Sequence, residues 1–267
     1  MSRKPRVSTV TPIEPALEIE NVNAIEWRES ADVVVVGWGA AGACAALEAR
    51  ANGATVVLID RFQGGGASAL SGGVVYAGGG TPYQLEAGFQ DSPEAMAAYL
   101  KHEVNGVVSD QTLMKFCQDS VANLAWLEMH GAKFAASMPD HKTSYPPEGK
   151  FLYFSGNEVV PACQTQEGPP APRGHRTVAR GQSGKVLFEA LQNATVKSGA
   201  HTLTQATVRR LVCERTSPDQ AARIVGVEVW QLPAGAPETL RHAELHKKVA
   251  RWRTFWPGKA AECRREA

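Results

Sequence analysis

The chain has 267 residues, with 28 Lys+Arg against 27 Asp+Glu and a formal net charge of +1. At roughly 150 residues per domain this is one large domain or two small ones, and 43% hydrophobic residues with 21% charged is ample for a core. The balance excludes an intrinsically disordered chain and shows none of the basic excess of a nucleic-acid binder, and no run reaches the ~20 apolar residues of a transmembrane helix.

Residues 1–30 mix charge, proline and polar residues. Arg3, Lys4 and Arg6 have no apolar stretch behind them, so a secretory signal is not expected. The segment reads as a flexible tail with room for one short strand. Asp32-Val33-Val34-Val35-Val36 is a β-branched run with both faces apolar, the pattern of a buried parallel strand. Gly37-Trp38-Gly39-Ala40-Ala41-Gly42 follows at once, then Ala43–Asn52 with a helical composition and Gly53 at the helix end. Thr55–Ile59 is a second buried strand, closed by Asp60. Together these form a βαβ opening.

Residues 64–80 hold eight of the chain's 25 glycines and read as a loop whose backbone approaches something closely. A helix starts at Ser92-Pro93, with Ser92 as N-cap and Pro93 at N1. Another helix spans Thr112–Met129 and stops at His130-Gly131. Residues 138–176 read as loop. A helix over Lys185–Ser198 ends at Gly199, and Thr202–Val212 with Arg223–Gln231 form a hairpin joined by Ser217-Pro218-Asp219. Residues 241–267 are basic and helical, with eight Lys/Arg and three Asp/Glu. The five cysteines are scattered, with no spacing suited to a metal, and fit reduced thiols in the cytoplasm.

Gly37-x-Gly39-x-x-Gly42 between a strand and a helix is a dinucleotide-binding fingerprint in its required context. Gly37 permits the tight turn, Gly39 lets a pyrophosphate approach the backbone, and Gly42 lets the helix pack on the strand. The helix N-terminus, with Ala40 and Ala41, offers free N–H groups to phosphate. Asp60 can accept hydrogen bonds from ribose hydroxyls. The fingerprint alone does not separate FAD from NAD.

The segment Gly65-Gly66-Ala67-Ser68-Ala69-Leu70-Ser71-Gly72-Gly73 resembles that of the FAD-dependent oxidoreductases of the fumarate reductase and succinate dehydrogenase flavoprotein family. Within it the likeness is to the 3-ketosteroid Δ1-dehydrogenase-like members. Shorter matches are Trp126-Leu127 with Gly131–Phe134, His175–Thr177 with Gly181–Lys185, and Val208–Leu211 with Ile224–Val227. The resemblance implies a Rossmann-like α/β fold, a parallel sheet with helices plus a β-hairpin. It implies hydroxyl contacts to FAD from Ser68 and Ser71, close backbone approaches at Gly66, Gly72 and Gly73 with Ala67 between them, and an adenine contact from the Val208 backbone. Arg61, beside Asp60, joins the expected contacts. No histidine stands in residues 61–80 to carry a covalent flavin, so FAD is expected to be non-covalent.

The expected organisation is a tail over 1–30, an FAD-binding domain over 31–240 as the first segment of the family's flavin domain, and the basic segment 241–267. The family's substrate-capping domain and closing strand are expected to be missing. The implied activity is CH–CH oxidoreduction next to a carbonyl, on a steroid-like ketone or a fumarate-like acid, with an electron acceptor and catalytic residues that the sequence does not name. A catalytically inactive FAD-binding fragment and an NAD-dependent Rossmann enzyme remain the alternatives.

Other residues carry weaker signals. Lys185 lacks a P-loop around it. His175-Arg176 reads as an exposed basic pair, with substrate polarisation as the alternative. Tyr76 and Tyr83 read as packing groups, with acid–base chemistry as the alternative. His130 suits a helix C-terminus. Trp252, Phe255 and Trp256 in the basic end suit docking on further parts of the protein or on a membrane surface.

Overall fold

The computed structural model describes residues 14–267 other than 166, 218, 220 and 254. Arg3, Lys4, Arg6 and the Pro218 of the expected turn lie outside the described residues. In chain order the elements are β1 (Leu17–Ile19), β2 (Val33–Val36), α1 (Ala40–Ala51), β3 (Val56–Ile59), α2 (Gly66–Ala69), β4 (Val74–Tyr76), α3 (Pro82–Glu86), α4 (Pro93–Val104) and α5 (Asp110–Met129). They continue with β5 (Leu152–Tyr153), β6 (Gly174–Arg176), α6 (Gly184–Lys197), β7 (His201–Leu203), β8 (Ala206–Glu214), β9 (Arg223–Gln231), α7 (Pro237–Trp252) and α8 (Pro257–Glu266). Two compact units share this chain, and the division falls inside α1.

The first unit comprises the described residues up to Trp38, Glu48–Gly64, and those from Ala200 onward. Its parallel sheet has the order β2-β3-β7, with Val33 opposite Val56 and Ile59 opposite Leu203. The middle strand β3 is buried along its whole length. A second sheet, β1-β8-β9, pairs β1 parallel to β8 and closes β8 on β9 as the expected antiparallel hairpin. Val57, Ile59 and Ala206 form the core of this unit, with Leu203, Val208, Val227 and Val229 packed around them. Leu245 is the buried residue of α7 and Ala260 that of α8, and the two helices pack on each other.

Two expectations change in this unit. β2 is not buried on both faces: it sits at the sheet edge, with Val34 41% and Val36 58% exposed. Val34 lines an apolar cleft of about 890 Å³, together with Val57, Ile59, Leu203, Val227 and Val229. The short strand for which the N-terminal segment has room is Leu17–Ile19, and its register on β8 places Leu17 opposite Val212. The single strand expected over Thr202–Val212 is two, because Gln205 turns the chain with φ +52°.

The second unit comprises Gly39–Leu47 and Gly65–Gly199. Its sheet is antiparallel, in the order β4-β6-β5. Ser92 caps α4 by accepting the Ala95 N–H, and Ser109 caps α5 by accepting that of Thr112. α6 ends at Gly199, with φ +77°. Leu124, Ala132 and Phe134 pack with Ala77, while Met96 and Cys117 fill the space beside Tyr76.

The glycine-rich stretch is less irregular than its composition suggests. The residues between its glycines form α2 and β4, because Ala67–Leu70 suits one helical turn and Val74-Val75-Tyr76 suits a strand. The expected loop over 138–176 likewise contains β5 and β6. β6 is the central strand, so His175 and Arg176 are buried rather than an exposed pair.

A buried ion pair ties this unit together. The Arg173 guanidinium donates to both carboxylate oxygens of Asp91, at 2.9 and 2.7 Å, with side-chain exposures of 2% and 0%. Asp91 also accepts from the Gly79 N–H and the Gln84 amide. Replacing Arg173 by Leu strands that carboxylate in the interior. Urea unfolding followed by circular dichroism should show a loss of about 3–5 kcal/mol, and a loss below 1 kcal/mol would refute this account of the pair.

Candidate functional site

In the first unit the strand-end geometry centres on Asp60. Its backbone N–H donates to the Leu203 carbonyl at 2.9 Å, which holds the residue at the tip of β3. One carboxylate oxygen accepts the Trp38 N–H at 2.8 Å and the other the Phe62 N–H at 2.7 Å. The carboxylate is therefore fixed in orientation, and each oxygen keeps a lone pair for a further donor. Gly37 donates its N–H to the Ile59 carbonyl at 2.7 Å with φ +97°. An added Cβ there would meet nothing within 4 Å, so the backbone conformation, not crowding, demands glycine.

Residues that sequence reasoning missed support this end. Phe62 stacks on His242 at 5.2 Å and meets His246 edge-on at 4.0 Å, both from α7. Burial lowers the pKa of both histidines; for His246 the neighbouring His242 adds to this, and Asp60 opposes it. The Arg61 guanidinium lies over the Phe62 ring at 5.1 Å. No periodicity in 237–252 points to Asp60, so this cluster has no local sequence signal. Val208 sits at an irregularity of the β8–β9 ladder, packed beside the core residues Val57 and Ile59.

In the second unit the first turn of α1 presents its amides. The first helical bond runs from the Ala43 N–H to the Gly39 carbonyl at 2.9 Å, so the N–H groups of Ala40, Ala41 and Gly42 have no acceptor inside the helix. Ala40 donates instead to Ser68 Oγ at 3.0 Å. That bond joins the fingerprint to the glycine-rich segment. Gly66, with φ +48°, has open space where a Cβ would stand, and Gly39 has only Ser68 Oγ at 3.6 Å. Ala67 follows in the single turn of α2.

The remaining expected contacts are engaged by the chain itself. The Ser71 hydroxyl donates to the Ser68 carbonyl at 2.8 Å and accepts the Gly73 N–H at 3.1 Å. A Cβ on Gly72 would lie 2.6 Å from the Tyr145 ring, and one on Gly73 would lie 2.5 Å from the Gly184 nitrogen. The Gly72 carbonyl accepts from the hydroxyls of Tyr145 and Ser183, and that of Gly73 from Thr177. In this structure those glycines are required by packing of the chain on itself.

Four residues weighed for chemistry are occupied. The Tyr76 hydroxyl donates to Glu158, the Tyr83 hydroxyl to Glu128, and burial raises both phenol pKa values. Arg176 donates to five backbone carbonyls between residues 146 and 181, and its guanidinium stacks against Tyr145 and Phe151. His175 holds the Thr81 hydroxyl at 2.9 Å and the Arg173 carbonyl at 3.2 Å, and burial pushes its pKa down to about 4. His130 caps α5 and lies edge-on to Trp126.

Each unit carries parts that suit a dinucleotide: the second has oriented amides, a hydroxyl and unobstructed glycines for phosphate, and the first has a fixed carboxylate for ribose. Residues 32–251 match the FAD binding domain family, and the chain belongs to that family. It is a segment of a flavoprotein, and FAD, rather than NAD, is its dinucleotide.

The chain is 56% identical over 251 residues to the 3-oxo-5-alpha-steroid 4-dehydrogenase of Comamonas testosteroni, covering 93% of this chain and 46% of that one. It is 34% identical over 218 residues to the acrylate reductase flavoprotein subunit of Shewanella woodyi, covering 80% and 37%. Among solved structures, the 3-ketosteroid-delta4-(5alpha)-dehydrogenase of Rhodococcus jostii RHA1, in complex with 4-androstene-3,17-dione, superimposes with a TM-score of 0.73 at 33% identity, covering 82% and 45%. The chain thus spans less than half the length of these relatives.

The buried His175 gives the domain a defined acid response. Its pKa is 6.5 ordinarily and about 4 when folded, so between those values the unfolded chain binds the extra proton and stability falls as pH drops. The full effect is about 3 kcal/mol. Urea midpoints at pH 7 and pH 5 should differ in that direction, and His175→Gln should flatten the difference. A His175→Gln chain with an unchanged pH slope would contradict the assignment.

Proposed function

We propose that this chain supplies the FAD-binding portion of an oxidoreductase that oxidises or reduces a carbon–carbon bond beside a carbonyl, with a steroid-like 3-ketone as substrate. The observation that carries the reading is the pair of glycine segments, tied by the Ala40–Ser68 hydrogen bond in a chain of the FAD family. The 56% identity to a steroid dehydrogenase favours a ketosteroid over a fumarate-like acid. FAD supplies the hydride chemistry when bound.

The chain's own residues bind and orient. Asp60 accepts the ribose hydroxyls, with Arg61 beside it, and the Val208 backbone meets the adenine. Gly37 sets the turn, and Gly39 leaves the pyrophosphate room to approach. The N–H groups of Ala41 and Gly42 face the phosphates at the positive end of α1. Ser68 has accepted the Ala40 N–H and can still donate its own proton to a phosphate oxygen. Gly66 and Ala67 pass under the cofactor, while Ser71, Gly72 and Gly73 hold that segment in shape. The scattered cysteines, none of them in a disulfide, support a cytoplasmic setting, and no helix among the described residues is long and apolar enough to cross a membrane.

Titrating the purified chain with FAD and following the flavin fluorescence tests the reading. Asp60→Ala should weaken binding by about tenfold, the worth of hydrogen bonds to a charged acceptor. Tight NAD binding with no FAD binding would overturn it. Tyr76, Tyr83 and His175 are held by internal partners, which supports a second reading, that this chain alone binds FAD without turnover. Dye reduction with a 3-oxo-5α-steroid should then stay at background, and turnover by the chain alone would exclude it.

A further inference from the structure

We infer that the turn between α7 and α8 is a membrane-surface anchor that settles on anionic lipid. Phe255 is 77% and Trp256 56% exposed, although the helices they join bury Leu245 and Ala260 to 2% and 4%. The aromatic rings are thus left out of the hairpin's own core. Trp256 is nonetheless held by backbone bonds. Trp256 donates its N–H to the Trp252 carbonyl at 2.8 Å, and Ala260 donates to that of Trp256 at 3.0 Å.

The charge around this tip is one-sided. Glu244 and Glu266 are taken up by Arg241 and Lys248. Among the described residues, no salt bridge engages Arg251, Arg253 or Lys259, which flank the aromatic pair, and Glu262 is the only side-chain carboxylate of residues 250–267 besides the paired Glu266. All three of these cations are exposed. Lys259 reaches over the Trp252 ring at 5.8 Å, so cation and aromatic share one surface.

Two neighbouring exposed aromatics inside a collar of unpaired cations match a bilayer interface. There, indole and phenyl rings sit at headgroup depth and Lys and Arg meet lipid phosphates. The inference is independent of the FAD reading.

Co-sedimentation of the full chain with phosphatidylcholine vesicles, with and without phosphatidylglycerol, tests it. Binding should appear with phosphatidylglycerol, fall with added salt, and drop about tenfold in the Phe255→Ser/Trp256→Ser chain. It should also drop in an Arg251→Glu/Arg253→Glu chain. Circular dichroism confirms that each variant folds, and FAD affinity should not change. Absence of binding, or binding that persists in both variants, would overturn the inference. So would self-association of the chain that the Phe255→Ser/Trp256→Ser change abolishes, which would mark the tip as a protein-docking surface.

Discussion

The second unit is organised by one contact, in which backbone meets backbone with no room for a side chain. Gly73 lies so close to the start of α6 that a Cβ would stand 2.5 Å from the Ser183 carbonyl carbon and the Gly184 nitrogen. The Gly184 N–H in turn donates to the Ser71 carbonyl at 3.2 Å. With α6 held there, Ser71 can bridge Ser68 and Gly73, and Ser68 can receive the Ala40 amide. Each bond is of ordinary strength. Their arrangement depends on two glycines on different segments facing each other, and this gives the glycine-rich stretch its single conformation.

The two clusters of polar groups in this protein serve different ends. Arg173 with Asp91, and Arg176 with its ring of carbonyls, are interior, so their charge acts on the fold. Asp60 and the first turn of α1 are engaged on one side only. Asp60 has both oxygens anchored but not saturated, and α1 keeps donors that its own geometry cannot satisfy.

The sequence made the βαβ opening, the caps at Ser92 and Gly199, and the hairpin legible, because each rests on a local rule of spacing, capping or alternation. The fingerprint glycines and Asp60 were legible for the same reason. What escaped was set at long range. Val34 and Val36 read as buried, but whether a valine face is covered depends on which strand lies beside it. His175 and Arg176 read as loop residues, since a three-residue strand has too little alternation to register. Gly72 and Gly73 read as positions of close backbone approach, and a glycine reports only that something comes close. That Tyr145 and Ser183 are what comes close is tertiary information.

The path of the chain has its own consequence for biosynthesis. β3 pairs on one side with β2, a near neighbour in sequence, and on the other with β7, which follows only after the whole of Gly65–Gly199. On a ribosome, the most buried strand of the first unit emerges early and keeps an open apolar edge until the inserted unit has been made. Contacts of such sequence separation close slowly. The nascent chain therefore has a long interval in which Val56–Ile59 is available to chaperones or to other nascent chains. The yield of folded protein depends on how fast the inserted unit settles.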